Sequence, residues 1–209
     1  LFNYLFAKQK GGKFILRIED TDRERSKPEF EKNIFDSLAW LDLKHDEVYR
    51  QSERTAIYRE ALEKLIATDH AYISKEEVSE EVGAGEKAKR SEVIRLRNSG
   101  QKITFADLIR GEISFDTEEL GDLVIAKSLD EPLYHFAVVV DDWQMKVTHV
   151  IRGEEHISNT PRQILIQEAL GAPRPIYAHI PLILAPDRSK LSKRHGAVSV
   201  TEYRDQGYL

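Results

Sequence analysis

Apolar positions recur along this chain with two different periods, and the switches between them outline a series of helices and strands. Leu1-Phe2-Asn3-Tyr4-Leu5-Phe6 has apolar residues at helical spacing, and Gly11-Gly12 is a plausible stop. No methionine and no capping residue precede it, so the chain is expected to begin inside a helix, with a segment upstream. Phe14 to Ile18 is a short, mostly apolar run that fits a strand covered on both faces, and it delivers Glu19-Asp20-Thr21-Asp22 at its carboxyl end. Ser26 with Glu29 resembles a capping box opening a helix, whose apolar face, Phe30, Ile34, Leu38 and Leu41, is expected in the core. A second helix is expected from near Ser52, with Ile57, Ala61 and Leu65 beside Tyr58, Leu62 and Ile66.

Tyr72-Ile73 begins another strand, and then the pattern breaks. Ten of the nineteen residues from Ser74 to Glu92 are charged, which fits an exposed connection between modules. Short strands are expected at Val93 to Arg97, Ile103 to Phe105, Ile113 to Phe115 and Leu123 to Ala126, as in a small β-rich insertion. The near-continuous run Leu133 to Val140 reads as a strand ending in Asp141-Asp142, and Met145 to Ile151 as another ending in Arg152-Gly153-Glu154-Glu155-His156. Thr160, Pro161 and Gln163 open a helix that Gly171 and Pro173 close. Tyr177 to Leu184 is the next strand. Strand, helix, strand at these lengths is a βαβ unit, so the class is α/β with a parallel sheet.

Composition narrows the chemistry. The 209 residues are 41% hydrophobic and 32% charged, enough for one sizeable core and an inserted module. A net charge of -5 means that any nucleic-acid surface must be a local patch. The absence of cysteine excludes disulfides and thiolate zinc sites, and the seven histidines show no ligand spacing, so no structural metal is expected. No run approaches a membrane span, which places the chain in the cytosol.

Two stretches carry candidate chemistry. Three carboxylates cluster at the end of the first strand; an acidic turn is the ordinary explanation, and a grip of Glu19 on an ammonium group is the functional one. After the last strand, the turn Ala185 to Ser189 leads into Lys190-Leu191-Ser192-Lys193-Arg194-His195-Gly196. Such a loop, at the end of a strand where open α/β sheets bind ligands, can meet the charge of a polyphosphate leaving group. A solvated basic turn is the plainer alternative.

The order of four motifs carries a resemblance. Arg17-Ile18-Glu19-Asp20-Thr21-Asp22, Tyr134 with Val138 to Asp142, Arg152 to His156, and Lys190 to Gly196 follow one another. Each is weak alone; together and in order they are specific. The chain resembles the bacterial glutamyl-tRNA synthetases, class I aminoacyl-tRNA synthetases, along essentially its whole length. The resemblance implies a Rossmann-type parallel sheet interrupted by a small α+β insertion that binds the tRNA acceptor end. By position, 1–73 is the first part of the catalytic domain, 74–133 the insertion, 134–184 the second part, and 185–209 the basic ATP loop with the start of a stem-contact region.

The resemblance implies an ATP-dependent activation of glutamate, accompanied by Mg2+, and transfer to the 3′ end of tRNA(Glu). It implies that Glu19 and Tyr134 hold the ammonium end of glutamate, and that Arg152 pairs with a carboxylate, the side chain's above all. It assigns charge stabilisation to Lys193 and Lys190, and places Lys193, Glu155, Ile183, Ser192 and Arg194 around ATP. A cytosolic monomer is expected. Three departures stand out: the family's first ATP motif precedes the point where this chain begins, the anticodon domain is absent, and so is the cysteine-rich zinc module of many relatives. Ile18-Glu19-Asp20-Thr21-Asp22 favours glutamate over glutamine, whose enzymes tend to carry Phe-Asp-Asp-Thr-Asn there. Three rivals remain: the truncated paralogue that glutamylates a modified base in tRNA(Asp), a non-catalytic tRNA-binding protein derived from a synthetase, and a tRNA-independent adenylating enzyme. The first usually has a degraded lysine loop; the joint presence of Glu19, Arg152 and Lys193 opposes the second; the insertion opposes the third.

Overall fold

The computed structural model describes residues 1–21, 26–75, 92–185, 187–189, 191 and 200–208. Helix α1 (Phe2–Gln9) leads to strand β1 (Ile15–Ile18), which pairs in parallel with β2 (Glu47–Arg50) across helix α2 (Pro28–Trp40). A single 3-10 turn, Gln51–Glu53, precedes α3 (Thr55–Ala67). Strands β3 (Ala71–Lys75), β4 (Glu92–Leu96), β7 (Leu123–Ser128) and β8 (Glu131–Pro132) form an antiparallel sheet in that order. Between them the hairpin β5 (Lys102–Asp107) and β6 (Gly111–Asp116) joins a different sheet, ordered β6, β5, β10 (Ile176–Ile180) and β9 (His149–Gly153). Helix α4 (Tyr134–Gln144) precedes β9 (His149–Gly153), which runs through a 3-10 segment, Glu154–Asn159, into α5 (Thr160–Leu170). Strand β10 (Ile176–Ile180) then pairs in parallel with β9, which is the expected βαβ unit, and also in parallel with β5 at Tyr177 and Asp107. Helix α6 (Val200–Asp205) closes the described chain.

One apolar cluster joins α3, α4, α5 and strands from both four-stranded sheets. Tyr58, Leu62 and Leu65 of α3 meet Ile94 and Leu96 of β4, Phe105 of β5, Phe136 and Val140 of α4, and Ile164 and Ile166 of α5. Gly171 ends α5 in the left-handed conformation at φ 71°, which a side chain would disfavour. No helix among the described residues is long and apolar enough to cross a membrane.

Several local expectations are corrected. The run from Leu133 to Val140 is not a strand but the start of α4, whose Phe136 to Asp141 are all buried. An apolar run buried all round lacks the period that separates helix from strand, so packing decides. Ser26 does not cap α2: the helix starts at Pro28, with Lys27 at the N-cap and no side-chain cap. Proline's fixed φ suits the first turn and does that work instead. The apolar face of α2 is not core either: Phe30 is 55% and Leu41 41% exposed, and nothing among the described residues covers them. The helix expected from near Ser52 begins at Thr55, after the 3-10 turn that holds Ser52, whose backbone N–H and hydroxyl both donate to Asp20. The strand expected from Met145 starts at His149, after Lys146 reverses the chain at φ 56°. Strand β10 stops at Ile180, where Pro181 has no N–H to continue a ladder.

Candidate active site

Strands β1 and β9 and one face of α4 border a cavity of about 280 Å³, lined among others by Asn3, Arg17, Glu19, Tyr134, Val138, Asp142 and Arg152. The helical form of α4 is what assembles this wall. Tyr134, Val138 and Asp142 are four residues apart, so they share one face. Asp141 points elsewhere, fully buried, and accepts from Arg54 Nε at 2.7 Å, Gln51 Nε2 at 2.9 Å and the Tyr58 hydroxyl at 2.9 Å. That carboxylate fastens α4 to α3 and to the turn after β2.

Arg17 links the strand to the helix. Its Nη1 donates to Asp142 at 2.7 Å and its Nη2 to Glu19 at 3.1 Å. Burial works against the charge on Arg17, but Asp142 and Glu19 outweigh it and raise its pKa. Burial likewise pushes the Asp142 carboxyl above the usual carboxylate range, against the pull of Arg17. The Tyr134 phenol is raised by burial and then by Glu19. Glu19 itself is more open, with 40% of its side chain exposed at the mouth.

Arg152 is held differently. Nε donates to His179 Nε2 at 3.1 Å, Nη1 to Gln163 Oε1 at 2.8 Å and Nη2 to Thr160 Oγ1 at 2.8 Å. Burial lowers its pKa, while Tyr177, Tyr134, Asp142 and Asp107 act the other way. Guanidinium has five N–H donors, so three bonds leave one free on each Nη. No carboxylate pairs with Arg152 among the described residues. A half-buried cation whose orientation is set by neutral acceptors keeps its charge available for an anion that enters the cavity.

The structure therefore brings Glu19, Tyr134 and Arg152 together around one cavity. Glu155 and Ile183 do not line it. Glu155 folds back so that its Cδ would lie 2.7 Å from a Cβ on Gly153, and Ile183 is 75% exposed beyond β10. Lys190, Ser192, Lys193 and Arg194 lie outside the described residues. Ala185 and Asp187 to Ser189, before them, are described: Ala185 N–H donates to Ser189 O at 2.9 Å, and Asp187 Oδ1 accepts the Ser189 hydroxyl at 2.7 Å. No cluster of three or more His, Cys, Asp or Glu side chains that could hold a metal ion occurs among the described residues.

Sequence reasoning missed Asn3, whose amide donates to Ile151 O at 3.1 Å at the cavity edge, and the three acceptors of Arg152. His179 had one visible signal, a lone histidine inside an otherwise apolar strand. The sequence marks Thr160 and Gln163 only as helix-start residues, although their side chains accept from Arg152.

Comparison with known proteins points the same way. The chain matches the family described as "tRNA synthetases class I (E and Q), catalytic domain" over residues 1–79 and 74–209. It is 48% identical to a protein named glutamate–tRNA ligase from Hydrogenobaculum sp. (strain Y04AAS1), covering 100% of this chain and 51% of that protein. The namesake from Aquifex aeolicus (strain VF5) is also 48% identical, with 50% of it covered. Among solved structures, a glutamate tRNA ligase from Elizabethkingia meningosepticum CCUG26117, described as in complex with its amino acid, superposes with a TM-score of 0.86 at 35% identity, over 100% of this chain and 54% of that one. The chain spans about half the length of the curated relatives it matches.

Proposed function

The chain belongs to the class I tRNA synthetase family (E and Q), catalytic domain, and from that premise we propose that it forms the amino-acid-activating part of a glutamate–tRNA ligase. The observation that carries this reading is Arg152, a half-buried guanidinium held by three neutral acceptors in a cavity that also presents Glu19 and Tyr134. Glutamate has an ammonium group at one end and a second carboxylate at the other. In our reading Glu19 and Tyr134 receive the ammonium end, and the free N–H groups of Arg152 receive the side-chain carboxylate. A planar fork pairs better with a carboxylate than with the amide of glutamine, which offers one neutral acceptor and a competing donor.

The α-carboxylate then attacks the α-phosphorus of ATP. The bond to the bridging oxygen breaks, pyrophosphate leaves, and glutamyl-adenylate remains. A ribose hydroxyl of the terminal adenosine of tRNA(Glu) next attacks the acyl carbon and releases AMP. Positioning and charge stabilisation are the protein's share of both steps. We assign charge stabilisation to Lys193 with Lys190, and contacts to ATP to Glu155, Ile183, Ser192 and Arg194; Mg2+ arrives with the nucleotide. Residues 74–133 take the role of the acceptor-end module.

The test is ATP-dependent incorporation of labelled glutamate into tRNA(Glu) by the complete gene product. Acid-precipitable label that requires ATP and exceeds the label from glutamine is expected. No incorporation, or equal use of glutamine, refutes the reading.

A further inference from the structure

Asp107 and His179 are buried side chains, 4% and 0% exposed, that do not line the cavity. They nevertheless form a line from the β5–β6 hairpin to Arg152. Asp107 divides its carboxylate between two tasks. Oδ1 accepts the backbone N–H groups of Ile109 and Arg110, both at 2.9 Å, and so closes the hairpin turn. Oδ2 faces the His179 ring Nδ1 at 2.6 Å, and the His179 backbone N–H is shared between the two oxygens, 3.1 Å from Oδ2 and 3.3 Å from Oδ1. On the other side of the ring, Nε2 lies 3.1 Å from Arg152 Nε.

This geometry fixes the tautomer. Arginine can only donate, so His179 Nε2 must carry the lone pair. The ring proton therefore sits on Nδ1 and is donated to Asp107. The groups that face the ring agree with a neutral imidazole: Arg152 from β9 and His156 from the 3-10 segment oppose a second proton, Asp107 from β5 favours it, and burial, the largest influence, lowers the pKa. Thr160 Oγ1, 3.3 Å from Nε2, completes the contact from α5.

We propose that Asp107 and His179 are positioning residues, which aim the Arg152 fork at the substrate carboxylate without neutralising it. An acidic partner placed directly on Arg152 would also hold it still, but would compete with the substrate. A neutral imidazole polarised by a carboxylate behind it supplies an acceptor and leaves the cationic charge unspent. The proposal rests on the reading that Arg152 binds glutamate's carboxylate.

Asp107→Asn separates the two tasks. Its oxygen can stay on the N–H groups of Ile109 and Arg110 and keep the His179 backbone N–H, which already lies 3.3 Å from Oδ1, while its NH2 takes the place of Oδ2 against the ring. The opposite amide orientation would set that NH2 against both backbone donors. Facing a donor, Nδ1 must accept, the ring proton moves to Nε2, and an N–H then opposes the N–H of Arg152. Steady-state kinetics of the complete gene product should show a glutamate KM raised by about 10- to 100-fold and an ATP KM within about twofold of wild type. Nitrogen-15 spectra should place the His179 proton on Nδ1 in the wild type and on Nε2 in the variant. Arg152→Ala is measured alongside. If it leaves the glutamate KM unchanged, the reading of the pocket fails and this proposal with it. If it is damaging while Asp107→Asn is normal, the positioning role alone is overturned. Equal rises in both KM values for Asp107→Asn, or a wild-type proton on Nε2, overturn it as well.

Discussion

Asp141→Asn removes a charge from a fully buried carboxylate that takes three donors, while keeping its volume. In the wild type this side chain takes donors from Gln51, Arg54 and Tyr58, and Arg17 Nε lies 3.8 Å away. The donors come from the turn after β2 and from the entry and first turn of α3, so one side chain fixes where α4 sits and hence where Tyr134 and Asp142 face. Arg54 and Arg17 expose only 12% and 17% of their side chains, so water cannot readily replace the lost charge. The amide also turns an NH2 toward donors. Breaking one side of such a buried pair costs about 3–5 kcal/mol. At roughly 2–4 °C per kcal/mol for a domain of this size, melting should fall by about 6–20 °C. The assay is thermal unfolding of the complete gene product, with hydrogen exchange used to assign the transition to these residues. A double-mutant cycle sharpens it: Tyr58→Phe alone should cost about 1.5–3 kcal/mol, as for a hydrogen bond to a charged group, and less beside Asp141→Asn. A melting loss under about 2 °C for Asp141→Asn, or strict additivity in the cycle, refutes the hub.

Two further outcomes are expected. His135 and His179 both have pKa values lowered from 6.5, with burial the largest cause in each. The unfolded chain therefore takes up these protons first, so their share of stability is full above pH 6.5 and is lost as pH falls below it toward the folded values. Denaturant titrations at stepped pH should show that slope, and His135→Phe should flatten it; an unchanged slope removes His135 from the account. Lys193→Ala should slow adenylate formation by about two to three orders of magnitude, the usual cost of losing a charge-stabilising donor, with little change in glutamate binding. Near wild-type ATP–pyrophosphate exchange in the presence of tRNA would clear Lys193 of that role.

Much of the architecture was legible because local pattern and tertiary packing agree. Helix α3 shows its buried Tyr58, Leu62 and Leu65 at helical spacing, and β4 to β7 follow short apolar alternations between turn residues. Helix α4 was not legible as a helix: its valines favour a strand, and burial on every side erased the period. The spacing of Tyr134, Val138 and Asp142 was the surviving signal. Glu19, Tyr134 and Arg152 were found through motif order, and they do share a cavity. What holds Arg152 was invisible, because Asp107 and His179 are separated by 72 residues and meet only when β5 pairs with β10.

The central claim is that Arg152 reads the carboxylate of glutamate, and the most direct measurement is the kinetics of Arg152→Ala in the complete gene product with glutamate and ATP varied separately. A desolvated carboxylate left without its partner costs about 3–5 kcal/mol, which is roughly two to four orders of magnitude in the glutamate KM. The account predicts that loss with the ATP KM little changed. Equal losses for both substrates, or none for either, would contradict it and leave Arg152 as a structural residue.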